Sequence, residues 1–401
     1  MPDRSNLNSS QLPPPDAEAQ AQSERLIGLV REAIAHEGGR IPFDRYMELA
    51  LYAPWVGYYT GGMRKFGAEG DFVTAPEISP LFSRCLGRQC QQVLERLGGG
   101  DILEFGAGSG AMAADLLAEL DRQGRLPGRY LILDLSPELR QRQHETLQSR
   151  VPHLLERVRW LDVLPETPFN GVVLANELLD AMPVQRFRVR DGELLEQHVA
   201  MEQGRFIPRW EPVATPGLAE AVRRLVGRYG AQWTDYQSEI NLRAEAWVQG
   251  IGQCLGQGLA LLIDYGYGQR EYYHAQRDRG TLMCHYRHRA HDDPFVYPGL
   301  QDITAHVDFT AVAWAAWAAR ASGFEVAGFT TQAFFLMGAG LDRLLAEADP
   351  DDAQNYLRLT QGVKRLTLPT EMGERFKVLG LGKGLDFTPL GFAVRDQRER
   401  L

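Results

Sequence analysis

The sequence predicts an α/β fold: a Rossmann-like, mostly parallel seven-stranded sheet with an inserted lid or substrate subdomain. Three observations carry that expectation. Short apolar runs alternate with amphipathic stretches from Asp101 onward, the order that builds parallel strands joined by crossover helices. The first run ends in a glycine loop that opens a helix, Glu104-Phe105-Gly106-Ala107-Gly108-Ser109-Gly110. Two long stretches interrupt the alternation after the fourth and fifth strands. They read as insertions over the carboxyl ends of the strands, where such sheets bind ligands.

Met1–Gln22 is rich in Ser, Asn, Gln and Pro and lacks an apolar run, so it reads as a disordered tail. Asp3, Asp16 and Glu18 sit badly with an Arg-rich transit peptide, which sets the expectation of a cytoplasmic protein. Ser23–Glu37 places Leu26, Ile27, Val30 and Ile34 at helical spacing and closes at Gly38-Gly39. Tyr52–Pro80 lacks periodicity and reads as a long ordered loop. Ser79–Arg96 is a helix stopped by Gly98-Gly99-Gly100.

The alternation then runs through strand Asp101–Phe105, helix Ala111–Gln123 and strand Tyr130–Leu135. Ser136-Pro137 opens the next helix, with Pro at its first position. Val158–Leu161, Gly171–Ala175 and Leu259–Asp264 are the third to fifth strands; Phe324–Thr330 and Phe376–Leu381 complete the seven. Within the first insertion Val184–Phe206 alternates like a hairpin, while Leu218–Tyr229 and Ser238–Cys254 read as helices. The domain plan is a tail over 1–22, a main domain over 23–183 and 256–385, an inserted subdomain over 184–255 and a second insertion over 265–309.

Bulk properties narrow the function. A chain of 401 residues with net charge −9 offers no basic footprint for nucleic acid phosphates. The longest apolar runs, such as Leu259–Ile263 and Thr310–Ala319, are too short for membrane insertion. Cys85, Cys90, Cys254 and Cys284 form no CxxC pair and read as ordinary thiols. The segment Cys284–Asp293 holds a thiol, three imidazoles and carboxylates, but its spacing fits no common zinc pattern, and Arg287 and Arg289 oppose a cation. No metal is expected. His288 is expected instead in a polar network with Asp302, His306 and Asp308, and Trp314 and Trp317 on a small-residue helix packed in the core.

The glycine loop carries the chemistry. Its spacing is G-x-G-x-G rather than the G-x-G-x-x-G of dinucleotide sites, and Glu104 stands at the preceding strand end. An acid aimed at that pocket suits a ligand with a cationic amino-acid portion better than a pyrophosphate. S-adenosylmethionine is such a ligand, held by Gly106, Ala107, Gly108 and Gly110; the alternative is a purely structural turn. Asp134, thirty residues after Glu104, is placed to accept ribose hydroxyls, with Leu135 and Ser136 beside it; an N-terminal helix acid is the bland alternative. Asp162, directly after the third strand, is assigned beside the adenine. At the end of the fourth strand Asn176, Glu177 and Asp180 are the catalytic candidates, with Asn176 also expected to contact the cofactor. Asn176 can position an amine, and the two acids match a guanidinium; capping of the next turn is the alternative for the acids.

Three strings add a resemblance. Gly70-Asp71-Phe72-Val73-Thr74-Ala75-Pro76-Glu77-Ile78-Ser79-Pro80, Glu104–Gly110 and Ala175–Pro183 resemble the MidA-type family. Leu262–Tyr267, Gly280-Thr281-Leu282 and Gln301–Phe309 agree, so the resemblance spans roughly Ile41 to Gly382. It implies a class I S-adenosylmethionine-dependent methyltransferase acting on an arginine of a protein substrate, with a respiratory complex I subunit as a partner. Many relatives carry Glu where this chain has Asp134, a change that keeps a carboxylate for the ribose. Phe72, Thr74 and Pro76 are expected to fold over the methionyl end of the cofactor; a structural loop is the alternative. Two other readings stay open: a non-catalytic cofactor-binding assembly factor or chaperone for a respiratory complex, and an NAD(P)-dependent oxidoreductase.

Overall fold

A computed structural model describes residues 12–61, 73–318 and 323–401 of the chain. The described residues divide into two compact units: 12–61, 180–244 and 267–308 belong to the first, and 73–179, 245–266, 309–318 and 323–401 to the second. In chain order the strands are β1 (Arg40–Pro42), β2 (Asp101–Phe105), β3 (Tyr130–Leu133), β4 (Val158–Leu161), β5 (Phe169–Asn176), β6 (Gln185–Arg190), β7 (Glu193–Glu202) and β8 (Arg205–Pro212). They continue as β9 (Asp235–Ile240), β10 (Leu255–Tyr267), β11 (Met283–Tyr286), β12 (Arg289–His291), β13 (Asp302–Thr304), β14 (Val307–Asp308), β15 (Phe324–Thr331) and β16 (Phe376–Lys383).

The second unit is built on seven strands in the order β15-β16-β10-β5-β2-β3-β4. From β10 to β4 every pairing is parallel. β16 then lies antiparallel between β10 and β15. This is the mostly parallel, Rossmann-like sheet expected. Ile102, Leu103, Val172, Val173, Leu259 and Leu261 are fully buried, as a sheet with both faces covered requires. The helix Pro80–Leu97 opens on Ser79, whose hydroxyl accepts from the Leu81 N–H, and closes on Gly98 at φ 73°. It packs Phe82, Leu86 and Val93 into the same core as Leu116, Leu120 and Leu174.

The first unit is mainly antiparallel. Its larger sheet joins β1, β7, β6 and β9, with β8 on β7, and a smaller one joins β12, β11 and β13. Turn chemistry explains the hairpins. Asp191-Gly192 between β6 and β7 sits at φ 51° and 81°, and Gln203-Gly204 between β7 and β8 at φ 50° and 79°, values that two-residue hairpin turns demand.

Several expectations need correction. The last six residues of the predicted tail, 17–22, are helical, because Asp16 accepts from the Ala19 N–H and starts a helix over Ala17–His36; an acid N-cap followed by good helix formers was read as polar sequence, and residues 1–11 lie outside the described residues. Ser238–Cys254 begins as strand, since Ser238 to Ile240 complete β9 and only Leu242–Cys254 is helical. His288 joins no network: Arg287 and His288 take φ 47° and 60° in the turn between β11 and β12, which leaves His288 exposed. Asp302 instead accepts from the Tyr59 hydroxyl at 2.9 Å, His306 stacks on Tyr267 and Asp308 accepts from Gln269. The helix Phe309–Ala318 buries its small residues, but Trp314 and Trp317 are 42% and 65% exposed. No helix of the described residues is long and apolar enough to cross a membrane. All four cysteines are buried and unpaired.

Where β5 and β10 begin to pair, the backbones approach so closely that only glycine fits. Gly258 has φ 148°, and a Cβ there would collide with the Gly171 carbonyl oxygen. Gly258→Ala is therefore expected to destabilise the protein by about 3 kcal/mol or more. Urea denaturation checks this; a loss under about 1 kcal/mol would mean that the strands separate at little cost.

Candidate active site

The parallel register sets the site. Phe105 pairs with Leu133 on one side and with Ala175 on the other, Leu133 pairs with Leu161, and Asn176 with Ile263. β2, β3, β4 and β5 therefore end at one level, and β10 runs on past it to Tyr267. The chain leaves β2 for β3 on one side and later returns at β5 on the other, the switch point at which such sheets open a crevice.

The glycine loop leaves β2 there. Gly106, Gly108 and Gly110 all take left-handed φ, 61°, 53° and 80°. At Gly110 a Cβ would stand 2.9 Å from the Gln143 Cα, so the next helix packs directly on the loop. Ala107 is buried between these glycines. Glu104 is fully buried behind the loop and accepts a 2.6 Å hydrogen bond from the Tyr130 hydroxyl. Burial raises its carboxyl to about 7, the Tyr130 hydrogen bond works against that rise, and the Asp134 charge adds to it.

Beyond β3, Asp134 is buried with both oxygens engaged. Oδ1 accepts from the Ser136 N–H at 2.9 Å and Oδ2 from the Gln143 Nε2 at 2.7 Å. Ser136 caps the helix Pro137–Arg150 by accepting from the Leu139 N–H. Arg140 ties the ends of β3 and β4 together: it donates to the Asp134 and Leu161 carbonyls and to the Asp162 carboxylate. Leu135 and Val163 follow these two strands and are 68% and 70% exposed. Exposed apolar side chains beside carboxylates suit a ligand with a flat apolar ring and hydroxyls.

At the end of β5, Glu177 takes φ 51° and its N–H donates to the Ile263 carbonyl. Its Oε1 accepts from the Asn176 Nδ2 at 3.2 Å and from the Ala75 N–H at 3.3 Å. That second bond draws in the short helix Ala75–Ile78, which carries Pro76 and is preceded by Thr74. Phe72 lies outside the described residues. Asp180 belongs to the first unit, where its carbonyl accepts from the Ala305 N–H. With burial and Asp302, its charge also helps raise the Tyr59 hydroxyl. The structure thus brings Asn176 and Glu177 together and assigns Asp180 to a different unit. Asp264, missed from the sequence as a site residue, sits buried beside them and accepts from the Leu179 and Tyr265 N–H groups. Tyr130, Arg140 and Gln143 were missed too. The only signal for the last two was their i, i+3 spacing after Asp134, on a helix polar nearly all round. Among the described residues no group of three or more His, Cys, Asp and Glu could hold a metal ion.

Comparison with known proteins decides the family. Residues 85–330, more than half of the chain, match the model of the family described as "Putative S-adenosyl-L-methionine-dependent methyltransferase". The chain belongs to this family. A Burkholderia thailandensis protein, crystallised with S-adenosyl-homocysteine bound, is similar to this methyltransferase at 47% identity and TM-score 0.92, over 98% of this chain and 100% of that one. Among curated proteins, "Protein arginine methyltransferase NDUFAF7 homolog, mitochondrial" of Drosophila melanogaster is 30% identical over 95% of this chain and 92% of its own length. "Protein arginine methyltransferase NDUFAF7, mitochondrial" of Homo sapiens is 28% identical over 86% and 80%. The cofactor of the methyltransferase is S-adenosylmethionine, and the oxidoreductase reading falls. The cytoplasmic expectation is also overturned, since these curated relatives are named as mitochondrial. Acidic residues near the N-terminus were a poor guide to compartment.

The buried Glu104 gives a signed pH dependence. Folded, its carboxyl holds a proton up to about 7; unfolded, it releases it near 4.5. Folding thus takes up a proton between those values, and the stability this contributes is present below 4.5 and lost as pH rises to about 7. Relative to Glu104→Gln, the ligand-free protein should lose up to about 3 kcal/mol across that window. A stability difference that stays flat with pH would show that folding leaves the Glu104 carboxyl at its ordinary value.

Proposed function

We propose that this methyltransferase transfers the methyl group to an arginine of a protein substrate. The observation that carries the reading is the polar pair at the end of β5. Asn176 commits its Nδ2 to Glu177, and its Oδ1 is buried without a hydrogen-bond partner among the described residues. A buried acceptor held in one direction is costly unless a donor arrives to use it. An N–H of the acceptor nitrogen is such a donor. Once bonded to Oδ1, that nitrogen is held with its lone pair turned away from the amide. Glu177 supplies the negative charge that balances a guanidinium, and Asp180 is the second acid proposed for that role. The names of the curated relatives support arginine as the acceptor. A respiratory complex I subunit is the protein partner that the sequence resemblance brings, and residues 184–255 and 265–309 are proposed to receive the protein.

When bound, S-adenosylmethionine supplies a methyl group on a sulfonium, already a good leaving group. The methylated nitrogen also releases one proton, and the protein's main contribution is alignment, which can remove much of the barrier. In our reading Gly106, Ala107, Gly108 and Gly110 let the backbone approach the cofactor, and Glu104 faces its cationic amino-acid end. Asp134 takes the ribose, Leu135, Ser136 and Asp162 surround the adenine side, and Thr74 and Pro76 cover the methionyl end.

Two variants separate these roles. Asp134→Ala is expected to weaken S-adenosylhomocysteine binding by on the order of 1.5–3 kcal/mol, the range for a hydrogen bond to a charged group. Calorimetry within twofold of wild type would move the ribose contact elsewhere. Glu177→Gln should keep cofactor affinity yet slow methyl transfer by about a hundredfold, because its charge acts on the aligned acceptor. Single-turnover methylation of an arginine-containing protein, read by mass spectrometry, decides it; near-normal rates would leave Glu177 as a support for the Ala75–Ile78 turn.

A further inference from the structure

One side chain of the helix Pro137–Arg150 reaches three parts of the proposed cofactor site. Gln143 is fully buried. Its Nε2 donates to the Asp134 Oδ2 at 2.7 Å and to the Gly108 carbonyl at 3.2 Å, and its Oε1 accepts from the Trp160 Nε1 at 2.9 Å. An indole nitrogen only donates, whereas a carboxylate and a carbonyl only accept. The amide therefore has one workable orientation, and rotating it by half a turn would break all three bonds. One turn further along the helix, Thr146 donates to the Ser109 carbonyl at 2.7 Å. The same helix face thus holds two successive carbonyls of the glycine loop and one oxygen of the acid beyond β3.

We infer that Gln143 is the positioning residue for cofactor binding: it aims the Asp134 carboxylate at the ribose and fixes the glycine loop at one distance from it. The inference rests on Asp134 being the ribose ligand. Trp160, on β4, is the anchor that keeps the amide from turning over. Asp134 Oδ1 is held by the Ser136 N–H and Oδ2 by Gln143, so the plane of the carboxylate is set before any ligand arrives. Such preorganisation shows in affinity rather than in the fold, because the helix and loop keep their other contacts.

The test uses the full chain and calorimetric titration with S-adenosylhomocysteine and with adenosine, which carries the ribose but no methionyl group. Gln143→Met, close in volume, should weaken both ligands by at least about tenfold, the scale of one hydrogen bond to a charged group. In an Asp134→Ala background the same substitution should cost little, since the group it aims is gone. Trp160→Phe keeps the ring but removes the donor, and should weaken both ligands while leaving the helix packed; it also serves if Gln143→Met fails to fold. Unchanged affinity in both variants, or full additivity with Asp134→Ala, would overturn the positioning role. Equal affinity of wild type and Asp134→Ala would instead refute the ribose assignment, and with it this inference; loss of all binding by the wild type would count against the cofactor site itself.

Discussion

The register of β2 between β3 and β5 is the constraint on which the rest depends. Because Phe105 is level with both Leu133 and Ala175, the glycine loop, Asp134 and Asn176 leave the sheet within one layer of backbone. Shifting a strand by one residue would turn its buried side chains to the opposite face and move its terminal polar residue along the sheet. Register is secured by burial on both faces, and at the far end by the close approach of Asp101, Gly171 and Gly258. The same packing that stabilises the unit thus places its chemistry.

Electrostatics then selects the ligand. Glu104 and Asp134 lie close enough for the second to raise the first, and Glu104 is cut off from water. A second negative charge there is unfavourable until a cation comes near, which supports the proposal that these two acids serve a positively charged ligand. That physical preference agrees with the family to which the chain belongs.

Much of the sheet was legible in the sequence because its strands are short, apolar and separated by helices of clear period. β2 and β4 were read to the residue, and β3, β5 and β10 differ only at their ends. What escaped was set by contacts remote in sequence. The start of β9 carries Ser238 and Glu239, polar residues that helices also use, and only pairing with Arg186 and Phe187 of β6 makes them strand. Trp314 and Trp317 follow an apolar run that looks like core, but only one face of their helix is covered. Among the candidate site residues, the acids and glycines stood out because their types are unusual at strand ends. Arg140, Gln143 and Asp264 were hidden, since nothing in their local sequence says that they reach across to another strand.

Glu177 shows how these levels meet. A non-glycine residue at φ 51° is strained, and such strain persists only where the surroundings over-determine the backbone. Here they do: the N–H is held by Ile263 on β10, while the carboxylate takes hydrogen bonds from Asn176 and from the start of the Ala75–Ile78 turn. Capping a turn and facing an acceptor are thus compatible roles, because one oxygen that anchors the side chain leaves the direction of the other fixed. An unstrained residue in a mobile loop would have to be ordered when the acceptor binds, at the expense of alignment. The strain is met instead during folding, by the strand pairing that sets the level of the whole site.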